Sequence, residues 1–313
     1  MKFINVNMNY FQEALDIAVE TYKNECQYVK EICGVRKDDI SKELEEIFLK
    51  QNGILCFEDE KLVGYLVYQN KWYSDGIINY LFPFWGYGAV GTNRVKIMSM
   101  LFEVLAEQLC TEQKVYFTFK VYAHDQEIIQ LLSFLQFGIQ CEEGICNINM
   151  DVMGNELTNI RELSKNEIRK CWDDIWKLLL KLIGHLRKSP VFYPGTEFTQ
   201  DVYKDYIFNK NTRLFIAEIE GEIVGIITAN RDGNNFINTQ TGCYNVGDVY
   251  VVPEYRGRMV AQSMLKFLCN VLSKEGVQNL WVEHGTANPN ARGFWNKFFE
   301  SYSYTMIRNI ELL

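Results

Sequence analysis

Between Val249 and Leu272 the hydrophobic pattern changes period once, and that change fixes a strand, a turn and a helix in order. Val249-Tyr250-Val251-Val252 are β-branched or aromatic and favour a pleated backbone. Pro253 has no N–H and ends the ladder. From Val260 onward Met264, Leu265, Phe267, Leu268, Val271 and Leu272 recur at helical spacing. Between the two lies Arg256-Gly257-Arg258-Met259-Val260-Ala261. A small-residue turn that opens a helix leaves several backbone N–H groups without partners and pointing one way. The helix dipole adds positive potential there, so the joint suits a phosphate.

A second motif follows one strand later. Leu280-Trp281-Val282-Glu283-His284 reads as a strand, and Asn288-Pro289-Asn290-Ala291-Arg292-Gly293-Phe294-Trp295-Asn296-Lys297-Phe298-Phe299 opens with a capping asparagine and a proline. The two stretches together resemble the GNAT superfamily of N-acetyltransferases. The first is similar to that family's acetyl-coenzyme A loop, Gln/Arg-x-x-Gly-x-Gly/Ala after a strand ending in Val-x-Pro-Glu. Arg256 and Ala261 fit, and Met259 stands where the family usually has glycine. The second is similar to the signature Asn-x-x-Ala-x-x-Phe-Tyr-x-Lys-x-Gly-Phe, with Trp295 where the family often has tyrosine.

Length and composition agree with this and narrow the partners. At 313 residues the chain has room for two domains of roughly 150 residues each. No apolar run reaches the roughly 18 residues of a membrane helix, and the start of the chain lacks the layout of a signal peptide. The net charge of −8 argues against a nucleic-acid backbone as partner and suits an amine. Nine cysteines without a Cys-x-x-Cys pair read as reduced thiols of a cytoplasmic protein. Three histidines leave little room for a metal site, so none is expected.

The first half repeats the element order of the second. The hairpin of Ile54–Phe57 and Leu62–Val67 matches that of Leu214–Ala217 and Ile223–Thr228; Gly64 corresponds to Gly225, and Ser99-Met100-Leu101 to Ser263-Met264-Leu265. Tyr80 to Ala89 reads as a strand with a bulge, Val95 to Leu109 as a helix and Val115 to Val121 as a strand. Thr92-Asn93-Arg94-Val95-Lys96-Ile97 then opposes Arg256 to Ala261, with no glycine or alanine where a backbone must approach a pyrophosphate. The aromatic stretch Phe82 to Gly88 reads as core or as a pocket wall. In the second half, Asn155 to Asn159 marks a linker, Asn166 to Leu186 a long helix and Asp201 to Phe208 another. The resemblance makes the aromatic loop Val191 to Gly195, with His185 before it, an acceptor-side wall.

The fold class is therefore α/β: two tandem GNAT-like domains, each a mixed, mostly antiparallel central sheet flanked by helices. Residues 1–152 form a degenerate copy and 156–313 the acetyl-CoA-binding catalytic copy. The resemblance implies transfer of an acetyl group from acetyl-CoA to the amine of a small molecule or peptide. Backbone groups of Tyr250, Val251 and Val252 would hold the pantetheine arm and polarise the thioester carbonyl. Arg256, Gly257, Arg258, Met259, Val260 and Ala261 would hold the pyrophosphate, and Asn288 would touch the arm or cap its helix. The family's frequent base is a glutamate at the position of Gly247; Asp248 beside it substitutes if a bulge turns it inward. His284, at the end of its strand, is a second candidate for base or substrate contact. Tryptophan at 295 supplies no acid for the leaving thiolate, which keeps a non-catalytic acyl-CoA-binding or substrate-sensing protein as the alternative.

Overall fold

The computed structural model describes residues 1–111, 114–154, 159–193 and 198–311. It has two compact units, Met1–Glu143 with Ser301–Leu313, and Gly144–Glu300. The expected linker at 155–159 falls on residues outside the described ones except for Asn159, which opens a strand. The C-terminal strand, read with the second half, is counted with the first unit. Alternation of side chains identifies a strand but not the sheet it joins.

In the first unit the order is β1 (Lys2–Asn5), α1 (Phe11–Cys26), α2 (Lys37–Leu49), β2 (Gly53–Glu58), β3 (Lys61–Val67), β4 (Asn70–Ser74), β5 (Ile77–Phe82), β6 (Tyr87–Ala89), α3 (Arg94–Leu109), β7 (Lys114–Tyr122), α4 (Gln126–Phe134) and β8 (Gly138–Asn147), whose last four residues belong to the second unit. One sheet runs β1-β2-β3-β6, all antiparallel. In the other, β5 lies between β4, antiparallel, and β7, parallel. The C-terminal strand β14 (Glu300–Glu311) pairs antiparallel with β7 from Ser303↔Tyr122 to Glu311↔Lys114. The stretch read as one bulged strand, Tyr80 to Ala89, is thus two strands split at Pro83–Gly86, and β4 was not foreseen. Phe82, Phe84, Trp85 and Tyr87 are buried in the core of this unit.

The second unit runs β9 (Asn159–Leu163), α5 (Lys165–Lys170), α6 (Trp172–Leu186), α7 (Gln200–Phe208), β10 (Arg213–Ile219), β11 (Glu222–Asn230), β12 (Cys243–Val251), α8 (Val260–Ser273), β13 (Asn279–Gly285) and α9 (Pro289–Trp295). The expected single helix from Asn166 breaks at Cys171, whose ψ of 22° leaves the helical range. Strands β9 to β12 are antiparallel neighbours, and β12 meets β13 in parallel. Helix α8 buries Val260, Met264, Leu265, Leu268, Cys269 and Leu272 in the core. Each such leucine or methionine stabilises by roughly 1.5–3 kcal/mol, so this helix is anchored by packing and not by its loop.

The repeat read from sequence recurs in the hydrogen-bond register. Gly64 pairs with Cys56 and Ala89, and Gly225 pairs with Ala217 and Val251. In both hairpins the register slips at the next residue, between Cys56 and Phe57 and between Ala217 and Glu218. A Cβ on Gly64 would meet Ile97 of α3 at 2.7 Å, and one on Gly225 would meet Met264 of α8 at 3.0 Å. Both glycines therefore let a helix lie close on the sheet. The residue facing Gly64 is Ile97, one helical turn before the Met100 that the Ser-Met-Leu match would put there.

Candidate functional site

Strands β12 and β13 pair at only three positions, Cys243↔Asn279, Tyr244↔Leu280 and Asn245↔Trp281. Past those, β12 runs on to Val251 and β13 to Gly285 with no further pairing, so the parallel strands splay toward their C-terminal ends. A cavity of about 370 Å³ is lined by Val249, Tyr250 and Val251 of β12. Such a splay leaves backbone N–H and C=O groups of one strand free to bind an extended ligand.

The loop from Val252 to Met259 forms the floor. Gly257 has φ +75° and Met259 φ +63°, so the chain enters the left-handed region twice before α8 begins at Val260. Met259 is the N-cap of α8, before its first turn. Its carbonyl accepts hydrogen bonds from the N–H and the hydroxyl of Ser263, both at 2.9 Å. Arg256, Gly257, Met259, Val260 and Ala261 all line the cavity. Arg256 turns back on its loop: Nε donates to the Val251 carbonyl at 3.0 Å and the guanidinium lies 5.4 Å from the Tyr250 ring. Val252 and Arg258 are not among the lining residues, and Arg258 lies over the Tyr255 ring.

Helix α9 supplies the opposite wall. Asn288 is buried and caps it, its Oδ1 accepting from the N–H groups of Asn290 and Ala291 at 3.2 and 3.3 Å. His185, the penultimate residue of α6, donates from Nε2 to the same oxygen at 3.4 Å and also lines the cavity. Trp295 lies in this wall, edge-on to Phe294 and Phe299. The lining includes Arg256, Lys297 and His185 and, among the described residues, no carboxylate.

The two sequence candidates for catalysis stand apart from this lining. His284 is buried and does not line the cavity. Asp248 does not line it either, but its neighbour Val249 does. Ile227 pairs with Val249 and Ala229 with Val246, so two residues of β12, Gly247 and Asp248, face the single Thr228 of β11. That is a β-bulge, the condition under which Asp248 was expected to turn. Desolvation pushes the Asp248 pKa up to about 6, and among the described residues no hydrogen bond or ion pair reaches its carboxylate.

Tyr206 of α7 was missed by sequence reasoning. Its hydroxyl lies 3.0 Å from Thr228 Oγ1 and accepts from Asn230 Nδ2 at 3.2 Å. Burial, and then the charge of Asp248, push its pKa up to about 12. A Cβ on Gly247 would collide with this hydroxyl and with Thr228 Oγ1. The glycine is therefore required by Tyr206, which fills the volume a side chain at 247 would occupy. Glycine where the resemblance leads one to expect glutamate was the one available signal. Of the aromatic loop Val191 to Gly195, Pro194 and Gly195 lie outside the described residues; Tyr193 packs on Phe198, away from the lining. Among the described residues no group of three or more metal-ligating side chains gathers, and no helix is long and apolar enough to cross a membrane.

Comparison with known proteins assigns the fold around this cavity. Residues 179–299 match the acetyltransferase (GNAT) family. A GCN5-related N-acetyltransferase from Sphaerobacter thermophilus shares the fold over 99% of this chain and 96% of its own, at 13% identity and a TM-score of 0.59. A GNAT-family acetyltransferase from Colwellia psychrerythraea aligns over 99% of this chain and 100% of its own, at 14% identity and a TM-score of 0.49. The fold assignment rests on the first of the two. No curated protein matches the chain. The matched segment lies within the second unit and spans the end of α6, the splayed strands, the loop and α9, and it is this segment that is similar to the GNAT acetyltransferases.

Proposed function

We propose that the protein is an acetyl-CoA-dependent N-acetyltransferase whose second unit is catalytic. The observation that carries this reading is the convergence of the end of β12 that has parted from β13 and the left-handed loop before α8 on one cavity free of carboxylates among the described residues. The residues fit the coenzyme. Backbone groups of Tyr250 and Val251 match a pantetheine arm, with Val252 closing the strand beside them. The N–H groups at the start of α8, with Gly257 and Ala261 leaving room, match a pyrophosphate. Arg256 and Arg258 add positive charge at the loop. Asn288 uses its oxygen as a cap and keeps its amide N–H groups for the arm.

Acetyl-CoA, when bound, supplies an activated thioester. The chain's own task is to bring an amine to it and take its proton. Asp248 serves as that base: a pKa near 6 leaves it ionised at neutral pH yet basic enough to accept a proton. Tyr206, fixed by Thr228 and Asn230, orients the amine beside it. The acceptor is a small-molecule or peptide amine. All nine cysteines are unpaired thiols, which suits a cytoplasmic setting. His284 is a structural residue on this reading. One observation favours a second reading, non-catalytic acyl-CoA binding: Trp295 is buried against two phenylalanines and offers no acid for a leaving thiolate.

Acetyl-CoA turnover against a panel of amino sugars, polyamines and peptides, read by release of free thiol, separates the two. Amine-dependent thiol release that vanishes in Asp248→Asn supports the enzyme. Coenzyme A binding with no turnover on any amine supports the sensor.

A further inference from the structure

The first unit contains its own cavity, of about 530 Å³, and its chemistry is opposite to that of the second. It opens where β6 ends, at Ala89, Val90 and Gly91, and reaches the end of β7 and the start of α4. Four carboxylates line it, Glu20, Glu25, Asp125 and Glu127, against two basic side chains, Arg94 and His124. Both basic groups are already engaged. Arg94 binds Asp125 through both terminal nitrogens and Glu127 at 3.3 Å. His124 lies 2.8 Å from Glu25 through Nδ1, and its backbone N–H donates to the same carboxylate at 3.2 Å. The balance of the lining is negative.

A second observation is independent of that balance. Tyr122 lines the cavity, is 1% exposed, and its hydroxyl has no hydrogen-bond partner among the described residues. A buried hydroxyl without a partner is a net cost to the fold, since phenylalanine would fill the same space without it. The ring of Tyr28, stacked on His124 at 4.4 Å, adds an exposed aromatic face at the same cavity.

We infer that the cavity of the first unit binds an organic cation carrying a primary amine. An ammonium has three N–H donors and no acceptor, and it meets here an unpartnered hydroxyl oxygen, an excess of carboxylates and an aromatic face. A phosphate-bearing ligand would meet the same carboxylates as repulsion. The site goes beyond the reading of the second unit and does not depend on it.

The test is calorimetric titration of the full chain with spermidine at low salt, in the absence of acetyl-CoA, with the site of the first unit identified by its response to variants of that unit. One saturable site is expected. Glu20→Gln changes an exposed side chain and is expected to weaken binding about threefold to tenfold. Tyr122→Phe is expected to weaken it about tenfold while leaving the melting temperature of the free protein unchanged or higher, a pairing that a merely structural tyrosine would not give. Coenzyme A affinity should be unaffected by either change. No saturable spermidine binding, binding indifferent to both variants, or a loss of coenzyme A affinity in Tyr122→Phe would overturn the proposal.

Discussion

Helices α3 and α8 leave equivalent strands of their sheets, each pressed against a glycine at the same register position, yet the loops that lead into them differ by half. Residues 90–93 connect β6 to α3, whereas 252–259 connect β12 to α8. The longer loop turns through the left-handed region at Gly257 and Met259, and both residues line a cavity. The shorter one starts its helix at Arg94, and that side chain spans to Asp125, the cap of α4. The corresponding cap in the second unit is Asn288, a neutral amide. One fold position thus carries a closed ion pair in one copy and an open cap in the other. The core that positions the joint is insensitive to this change, because it is set by apolar burial and by two glycines. The ligand is decided by a handful of loop residues, which duplicated copies are free to alter separately.

The sharpest way to test the catalytic half of this contrast is Asp248→Asn. We expect turnover to fall by about 10²–10⁴-fold, the usual range for loss of a general base, with coenzyme A affinity unchanged. In the wild type the rate should rise with pH through about 6 and then level. Stability should move the other way. The folded pKa lies above the ordinary value of 3.8, so burial of this group is tolerated fully only at low pH, and its cost grows as pH rises from there through 6. Asparagine has no charge to desolvate. The variant should therefore be more stable than the wild type by about 1–3 kcal/mol at pH 7 and by little at pH 4. Equal turnover in the two proteins would remove Asp248 from the mechanism.

Arg94→Ala tests the other copy. Among the described residues it leaves the Asp125 carboxylate, 8% exposed, with the Tyr87 hydroxyl and the α4 N-terminus as partners. Removing one member of such a pair costs about 2–4 kcal/mol, visible as an earlier denaturation midpoint. Coenzyme A stoichiometry should stay at one per chain. A second site appearing in this variant would mean that the ion pair alone had closed the first copy, and that loop length was irrelevant.

The contrast between the copies was partly legible in the chain itself. Val249 to Leu272 announced its strand, turn and helix because the period changes abruptly and Pro253 marks the junction. Gly64 and Gly225 could be matched because a glycine within a strand pattern is rare enough to register. What could not be read was any property that depends on who faces whom. Tyr206 lies on a different helix, and nothing local says that its hydroxyl would fill the space above Gly247. Asp125 and Arg94 are 31 positions apart and meet only through the fold. Tyr80 to Ala89 gave a strand with a bulge, but its split between two sheets is a choice of partners made by β3 and β7. The last strand, β14, reads as a strand from its sequence, and its pairing with β7 does not.

Gly257→Asp probes the long loop directly. At φ +75° an L side chain is strained even though a Cβ there would meet nothing within 4 Å. A carboxylate beside a bound pyrophosphate adds repulsion, and together these should weaken coenzyme A binding by about 1–3 kcal/mol, or roughly fivefold to 150-fold. Gly257→Asn, which tolerates the left-handed region, separates the terms: it should lose far less. If Asp and Asn weaken binding equally, charge plays no part and the loop is not the phosphate site.

The smallest expected effect is that of Met259→Gly, and its sign depends on where the helix begins. Inside a helix, glycine at this position would cost roughly 0.5–1 kcal/mol. At φ +63° and ψ +16°, however, Met259 sits before the helix in a conformation that costs a side-chain-bearing residue about 1 kcal/mol or more and glycine almost nothing. Met259→Gly keeps the backbone carbonyl that Ser263 uses twice, so the entry to α8 is not disturbed. Against the gain stands the greater freedom of glycine in the unfolded chain, which leaves a net stabilisation of about 0.5–1 kcal/mol, a rise of roughly 1–4 °C in melting temperature for a unit of this size. The side chain is only half-buried and lines the cavity, so its loss both removes a contact and clears space near the loop N–H groups. These effects oppose each other, and coenzyme A affinity should stay within about threefold of the wild type. A lower melting temperature would show that the methionine packs more than it strains. A tenfold loss of affinity in a folded variant would make Met259 part of the binding surface, and the departure from glycine at this position would then be an adaptation of the loop and not a tolerated substitution.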